Sequence, residues 1–292
     1  KIGEALRRSA ELWPDSEIVV GMGERITYAE FDARVDRLAT GLQQLGIERG
    51  DHVANWQTNC PDWILTWLAC VRLGATVVSI NTRYKTQEVE FILRQSDAKL
   101  LVAMPNYWEI DYLSMISEIV PGYEGSTPGE LQCDTLPALR GIVLWQDEEA
   151  PGTTSLRALE ATEPDRTALD AAASELDVED PVIIIYTSGT TGVPKGAMHC
   201  HRVLLEGRDI AKALHMEAGD NVLCHLPLYH VAGSVATVMP AMQHGATIVT
   251  MDHWEPAAAI DLIERERINI MGGIPTHFID MLSVSGVEAR DT

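Results

Sequence analysis

Apolar positions along the chain switch between two spacings. Ile18–Val20 and Arg25–Tyr28 alternate around Gly21-Met22-Gly23-Glu24 and predict a β-hairpin. Phe31, Val35, Leu38, Leu42 and Leu45 then recur at helical spacing, and Gly46 suits the helix end. His52–Trp56 reads as a strand, Pro61–Leu73 as an apolar helix stopped by Gly74, and Thr76–Ile80 as a β-branched strand. Thr86 is placed to cap a helix reaching Ser96, and Lys99–Ala103 is the next strand. Pro121 to Pro137, rich in Gly, Pro, Ser and Thr, reads as a surface loop before a strand at Gly141–Trp145. Helix is expected around Leu156–Ala161. Pro181–Tyr186 is a continuous apolar run, as in a strand buried on both faces. Later strands are predicted at Asn221–His225, Thr247–Thr250 and Ile268–Met271, and helices at His201–Leu214, Ser234–Gln243 and Pro256–Glu266. No repeat is visible.

Strands separated by helices imply an α/β protein of layered parallel-sheet subdomains with helices on both faces. A length of 292 residues suggests one large domain or two modest ones, and the expected division is a first lobe at 1–180 and a second at 181–292. In such folds ligands bind beyond the carboxyl ends of the strands.

Charge sharpens this outline. The net charge of −21 excludes gripping nucleic acid or an anionic lipid surface through the overall field. Residues 147–180 hold eleven acids against two arginines and read as a solvated connector. Residues 181–251 balance four basic against four acidic residues, and 221–251 carry no Asp, Glu, Lys or Arg. Gly233, Pro240, Gln243, His244 and Gly245 interrupt that run, so deep burial is the reading, not a membrane span. Five widely spaced cysteines without a C-x-x-C pattern suggest a reducing compartment, and no secretory signal pattern is seen; a cytoplasmic location is expected.

The chemistry follows the most apolar strand. Thr187-Ser188-Gly189-Thr190-Thr191-Gly192-Val193-Pro194-Lys195-Gly196 places four hydroxyls, three glycines and a lysine within ten residues. Glycines let backbone N–H groups turn toward a ligand, hydroxyls add donors and a site for Mg²⁺, and Lys195 adds a mobile charge. A polyphosphate needs these groups; a plain flexible turn is the ordinary alternative. The spacing is not that of a Walker A loop, because Gly196 follows Lys195, and no G-x-G-x-x-G or G-x-S-x-G occurs.

The run Y-T-S-G-T-T-G-V-P-K-G closely resembles the phosphate loop of the adenylate-forming superfamily, which includes acyl-CoA synthetases, luciferases and peptide-synthetase adenylation domains. Four more stretches agree in order: I-T-Y-A-E-F at 26–31, L-G-A-T-V-V-S-I-N-T-R-Y at 73–84, L-P-L-Y-H-V-A-G at 226–233 and G-G-I-P-T at 272–276. The resemblance implies a fatty-acid-CoA ligase using ATP, Mg²⁺ and coenzyme A, with Thr187, Ser188, Gly189, Thr190, Thr191, Gly192 and Lys195 on the phosphates. Thr187 and Thr190 would touch Mg²⁺, and His230 and Lys195 would serve the reaction. Val231, Ala232, Gly233, Gly272, Gly273, Pro275 and Thr276 would line the acyl site. An ordinary role for His230 is a satisfied core histidine. Tyr229-His230-Val231-Ala232 offers no acid for a substrate ammonium, which disfavours amino acids. His199, Cys200 and His201 lack a second ligand pair, so a metal site is the weaker reading. Trp56, Trp63 and Trp67 read as core. Partners are the small molecules, and the resemblance allows a homodimer.

The superfamily's later motifs are missing, among them Y-G-x-T-E, the ribose-binding Asp, the hinge and the catalytic lysine of the small C-terminal domain. The expectation is an incomplete large N-terminal domain that cannot complete adenylation alone. A non-catalytic nucleotide- or acyl-binding chain and a domain that loads a carrier protein are the alternatives.

Overall fold

The computed structural model describes residues 1–145, 150–187 and 194–292. The chain forms two compact units, each discontinuous in sequence. The first comprises Lys1–Gly3, Ala33–Gln57 and Asp62–Arg202; the second comprises Glu4–Asp32, Thr58–Pro61 and Val203–Thr292. A division at residue 180 does not match these units, because strand pairing ignores chain order. Pro181–Thr187 pairs with Thr76–Ser79, and Glu17–Gly21 pairs with Thr247–Thr250.

The sheet of the first unit has the order Lys195–Cys200, Pro181–Thr187, Thr76–Ser79, His52–Trp56, Leu100–Ala103, Gly141–Leu144, Thr154–Ser155. Every neighbouring pair is parallel except the first, which is antiparallel. Lys195–Cys200 thus adds one antiparallel edge strand to the expected parallel sheet. Trp56, Trp63 and Trp67 are fully buried, as expected of core residues. Trp56 stacks on Tyr112 at 3.8 Å, and the Trp67 indole N–H donates to the Val182 carbonyl at 3.0 Å, tying helix Pro61–Leu73 to the long strand.

Two expectations for this unit are corrected. The Pro121–Pro137 stretch is no mere surface loop, since Tyr123, Leu131 and Leu136 are buried in the core. The acidic connector also packs. Thr154–Ser155 joins the sheet edge, helix Leu156–Glu160 buries Leu156 and Leu159, and a further helix, Arg166–Glu175, is capped by Asp165. Burial of these acids is tolerable because cations meet them. Arg34 contacts Glu160 and lies 3.6 Å from Asp62, while Arg157 holds both Asp62 oxygens at 2.9 Å and Glu160 at 2.9 Å.

The second unit has the sheet order Asn221–Cys224, Thr247–Thr250, Glu17–Gly21, Glu24–Thr27, the last pair forming the expected hairpin. Its turn uses Met22 and Gly23, both at positive φ (50° and 82°), as a tight two-residue hairpin requires. Ile268–Met271 does not form the predicted strand; a single bridge joins Val222 to Ile270. Backbone bonds there are few (Leu223 N to Ile270 O, Asn269 N and Ile270 N to Asn221 O), and side chains add to them: the Asn269 amide oxygen accepts from Asn221 N at 2.8 Å and its nitrogen donates to Asp220. The predicted helix over 234–243 is instead a short turn at Val231–Gly233, a π-helical stretch at Ser234–Val238 and an α-helix at Met239–His244. Helices Ile2–Leu12 and Arg166–Glu175 and strand Lys195–Cys200 were not anticipated. The uncharged 221–251 run is mostly buried, and no helix among the described residues is long and apolar enough to cross a membrane.

Removing one member of a buried ion cluster leaves the others uncompensated. Asp62→Ala is therefore expected to cost about 3 kcal/mol or more in urea unfolding, since two arginines face Asp62. A loss below about 0.5 kcal/mol would show that the cluster contributes no more than a surface pair.

Candidate active site

The two ends of the phosphate-loop run lie at one place in the first unit. Ile183, Ile184 and Ile185 pair with Val77, Val78 and Ser79, so Tyr186 and Thr187 continue past the carboxyl end of the neighbouring strand. Thr187 and Lys195 face each other as the last pair of the antiparallel ladder, and both side chains are exposed. Ser188, Gly189, Thr190, Thr191 and Gly192 lie outside the described residues. Gly196 is constrained by packing. A Cβ there would come within 2.8 Å of Ile184 Cγ2 and 3.2 Å of the Tyr186 ring, its cross-strand partner.

His199 and Cys200 end this edge strand. His201 is buried, and its Nδ1 accepts from Ile2 N at 3.2 Å. No group of three or more His, Cys, Asp or Glu suited to a metal occurs among the described residues.

The other expected residues belong to the second unit. Strand Asn221–Cys224 runs into Leu226–Gly233 at its carboxyl end. His230 is exposed and not a core histidine. It sits at the start of the Val231–Gly233 turn, where its Nδ1 accepts from Ala232 N at 3.2 Å and its own N–H donates to Pro227 O at 3.0 Å. Ala232 is partly covered and Val231 exposed. Gly233 is packed so tightly that a Cβ would lie 2.3 Å from Pro227 O and 2.5 Å from Leu226 O. Gly272, Gly273, Pro275 and Thr276 are all exposed, the last two opening helix Pro275–Leu282.

One pair in this region went unnoticed in the motif reading. His225 Nε2 lies 3.0 Å from His277 Nδ1, joining the end of strand Asn221–Cys224 to the residue after G-G-I-P-T. His277 Nδ1 also accepts from Ile274 N at 3.4 Å, so His225 Nε2 is the donor of the pair. Trp254 packs on both rings, at 4.9 and 4.4 Å, and its N–H donates to Asp280 at 3.0 Å. Burial pushes the His225 pKa down to about 4, and the facing His277 adds to that. His277 is also lowered by burial, against the pull of Asp280. The only sequence signal was a histidine directly flanking each of two motif-bearing segments, His225 before 226–233 and His277 after 272–276.

The AMP-binding enzyme family matches residues 6–291, and the chain belongs to that family. Its expected place among adenylate-forming enzymes is thereby borne out. It is 33% identical to the human medium-chain acyl-CoA ligase ACSF2, mitochondrial, over 99% of this chain and 49% of that protein. The N-terminal domain of FACL13 from Mycobacterium tuberculosis, solved with an inhibitor bound, matches at a TM-score of 0.81 and 28% identity, covering 99% of this chain and 67% of that one. The anthranilate CoA ligase AuaEII, in complex with anthranoyl-AMP, shares the fold at a TM-score of 0.83 and 22% identity, over 99% of this chain and 52% of that one. The chain spans about half the length of the curated relatives it matches.

Two outcomes follow. Gly233→Ala sets a methyl group against two carbonyls and should cost about 1–3 kcal/mol in chemical unfolding; an unchanged midpoint would mean that the turn yields freely. For His225, the unfolded ring titrates near 6.5 and the folded ring near 4. Between these values the unfolded chain binds more protons, so stability is complete above about 6.5 and falls as pH drops toward 4. His225→Gln should flatten the dependence of Tm on pH within that window, and an unaltered slope would show that His225 titrates normally.

Proposed function

We propose that the protein bearing this chain activates a carboxylic acid, a fatty acid in our reading, with ATP. The acid's carboxylate oxygen attacks the α-phosphorus, forming the acyl-adenylate and releasing pyrophosphate. The thiol of CoA then displaces AMP to give the thioester. The observation that carries this reading is the phosphate-loop run, with Thr187 and Lys195 opposed beyond the end of a parallel strand.

Displacement at phosphorus needs positioning and charge stabilisation more than covalent help. Lys195 supplies a charge for the departing β- and γ-phosphates, and Thr187–Gly192 supply hydroxyl and backbone donors. Mg²⁺ suits this mouth, because Thr187 offers the hard oxygen it takes and the phosphates themselves complete its shell. When bound it would neutralise phosphate charge; Thr187 and Thr190 are the residues assigned to it. His230, exposed at the turn after strand Asn221–Cys224, is assigned to orient the substrate carboxylate. Val231, Ala232 and Gly233, with Gly272, Gly273, Pro275 and Thr276, are assigned to the acyl chain. The uncharged 221–251 run offers no counter-ion for a substrate ammonium, which favours an apolar acid. ACSF2, named for medium-chain acids, supports an alkyl substrate. Five cysteines, none joined in a disulfide, suit a reducing compartment, and the cytoplasm is our assignment.

Titration of ATP into the chain tests the phosphate site. Lys195→Ala should weaken binding by about tenfold to a hundredfold, the worth of one charge-assisted contact. Equal affinity would remove Lys195 from the site. Acid-dependent ATP–pyrophosphate exchange, screened over short, medium, long and aryl acids, tests the reaction. Its absence with every acid, in any protein that carries this chain intact, would overturn the assignment.

A further inference from the structure

The turn that carries His230 is held by a residue far away in sequence. Asn59 lies in the short Thr58–Pro61 segment of the second unit and is buried, only 5% exposed. Its side-chain nitrogen donates to Cys224 O at 3.3 Å and to Leu226 O at 2.9 Å. Its side-chain oxygen accepts from Leu228 N at 2.8 Å. One carboxamide therefore grips the backbone on both sides of His225 and again two residues beyond Leu226. Three of the four hydrogen bonds that an Asn side chain can make are used on this single turn.

The grip is anchored at its other end. The Thr58 hydroxyl donates to Asp252 O at 2.7 Å, just past strand Thr247–Thr250. Cys224 O also accepts from Met251 N at 3.1 Å. Thr58 and Asn59 thus bind the carboxyl ends of two adjacent parallel strands, the place where an α/β sheet presents its ligand-handling loops. From Asn59 a short chain of contacts leads to His230. Leu226 is held by Asn59, the Leu226 and Pro227 carbonyls are the surface on which Gly233 rests, and Pro227 O accepts from His230 N at 3.0 Å. Slack in the Asn59 grip would move His230 and Gly233 together, and would free His225 from the geometry that meets His277.

We propose that Asn59 is a positioning residue for the carboxylate and acyl end of the site: it touches no substrate, and it fixes the Leu226–Gly233 turn so that His230 and Gly233 face the acid. This rests on the function proposed above for His230. A hydrogen-bonded amide suits the task better than packing would. Two carbonyls and one N–H are pinned in direction as well as distance, and the Leu226 carbonyl and the Leu228 N–H would lose this partner if Asn59 were lost, while Cys224 O would keep only Met251 N. ATP phosphates, assigned to Thr187–Lys195 in the other unit, lie outside this grip, so the proposal separates acid binding from nucleotide binding.

The test compares Asn59→Ala and Asn59→Asp with Leu6→Ala, which opens a cavity in the same unit at a fully buried residue outside the turn. Asn59→Asp keeps the volume and the acceptor while losing the donor, so it reports on the grip even where the alanine variant fails to fold. Imidazole ¹H–¹⁵N spectra of the chain, with the His230 signal assigned by its loss in His230→Gln, read the turn directly. Binding of a decanoyl-adenylate mimic with a sulfamoyl link, set beside binding of ATP alone, reads the consequence. The expected result is a displaced His230 signal and about tenfold weaker binding of the mimic in both Asn59 variants, ATP affinity unchanged, and neither effect in Leu6→Ala. An unmoved His230 signal overturns the proposal, and so does a moved signal with unchanged affinity for the mimic. If the unaltered chain binds ATP but no adenylate mimic, the functional reading of His230 fails, and with it the role of Asn59 in acid binding. A His230 signal displaced only by the Asn59 variants would in that case support the grip on the turn alone.

Discussion

A strand with partners along both edges cannot slide or tilt without losing its backbone hydrogen bonds, and Pro181–Thr187 is such a strand. Thr76–Ser79 pairs with one edge in parallel and Lys195–Cys200 with the other in antiparallel fashion. A slip of one residue would move every side chain of the strand to the opposite face and undo the packing of Ile183, Ile184 and Ile185. The placement of Thr187 against Lys195 is therefore set by the packing of Ile183, Ile184 and Ile185 and by helix Pro61–Leu73, tied to the strand through Trp67. The two ends of the phosphate-loop run are thus held in place by apolar packing in the strand and by a helix beside it. Tyr186 adds a local condition, since its ring lies across Gly196 and excludes any larger residue there.

The second unit solves a similar problem by different means. Its parallel strands end at Cys224 and Thr250, and the chain must turn sharply there while keeping buried backbone groups satisfied. Side chains do this work: Asn59 for the turn after Cys224, Thr58 for the segment after Thr250, and Asn269 where a further strand would have been. Polar side chains that stand in for ladder partners allow a loop to keep a shape that regular pairing would forbid. The neutral His225–His277 contact adds a link between segments 52 residues apart in sequence.

Much of this was legible from residue spacing. The hairpin at Gly21–Glu24, helix Pro61–Leu73 with Gly74 after it, and the central apolar strand follow from periodicity and punctuation alone. Three features were hidden for physical reasons. The edge strand Lys195–Cys200 is mostly exposed, so its apolar pattern is weak. The acidic connector looked solvated because the arginines that neutralise it are remote in sequence, at Arg34, or were counted only as a sum, at Arg157. The Ile268–Met271 segment has strand composition, yet its backbone bonds to strand Asn221–Cys224 reach only Asn221 and Leu223, and the Asn269 side chain accepts from the Asn221 N–H in place of a longer ladder. At the site, the motif runs marked Thr187, Lys195, His230 and Gly233, but no local pattern announces Asn59 or the His225–His277 pair. Both depend on contacts between distant segments, which residue spacing does not show.

The edge strand Lys195–Cys200 has a further consequence. It closes the seven-strand order on one side, so one row of its N–H and C=O groups has no strand beside it among the described residues, and Met198 is 65% exposed upon it. Such an edge is a template for another chain's strand. The lysine at its start, proposed above as a charge for phosphates, also stands as a repulsive guard against a second identical edge. A substitution that removes the charge would make the edge stickier, so colloidal behaviour and the proposed nucleotide contact are coupled through a single side chain.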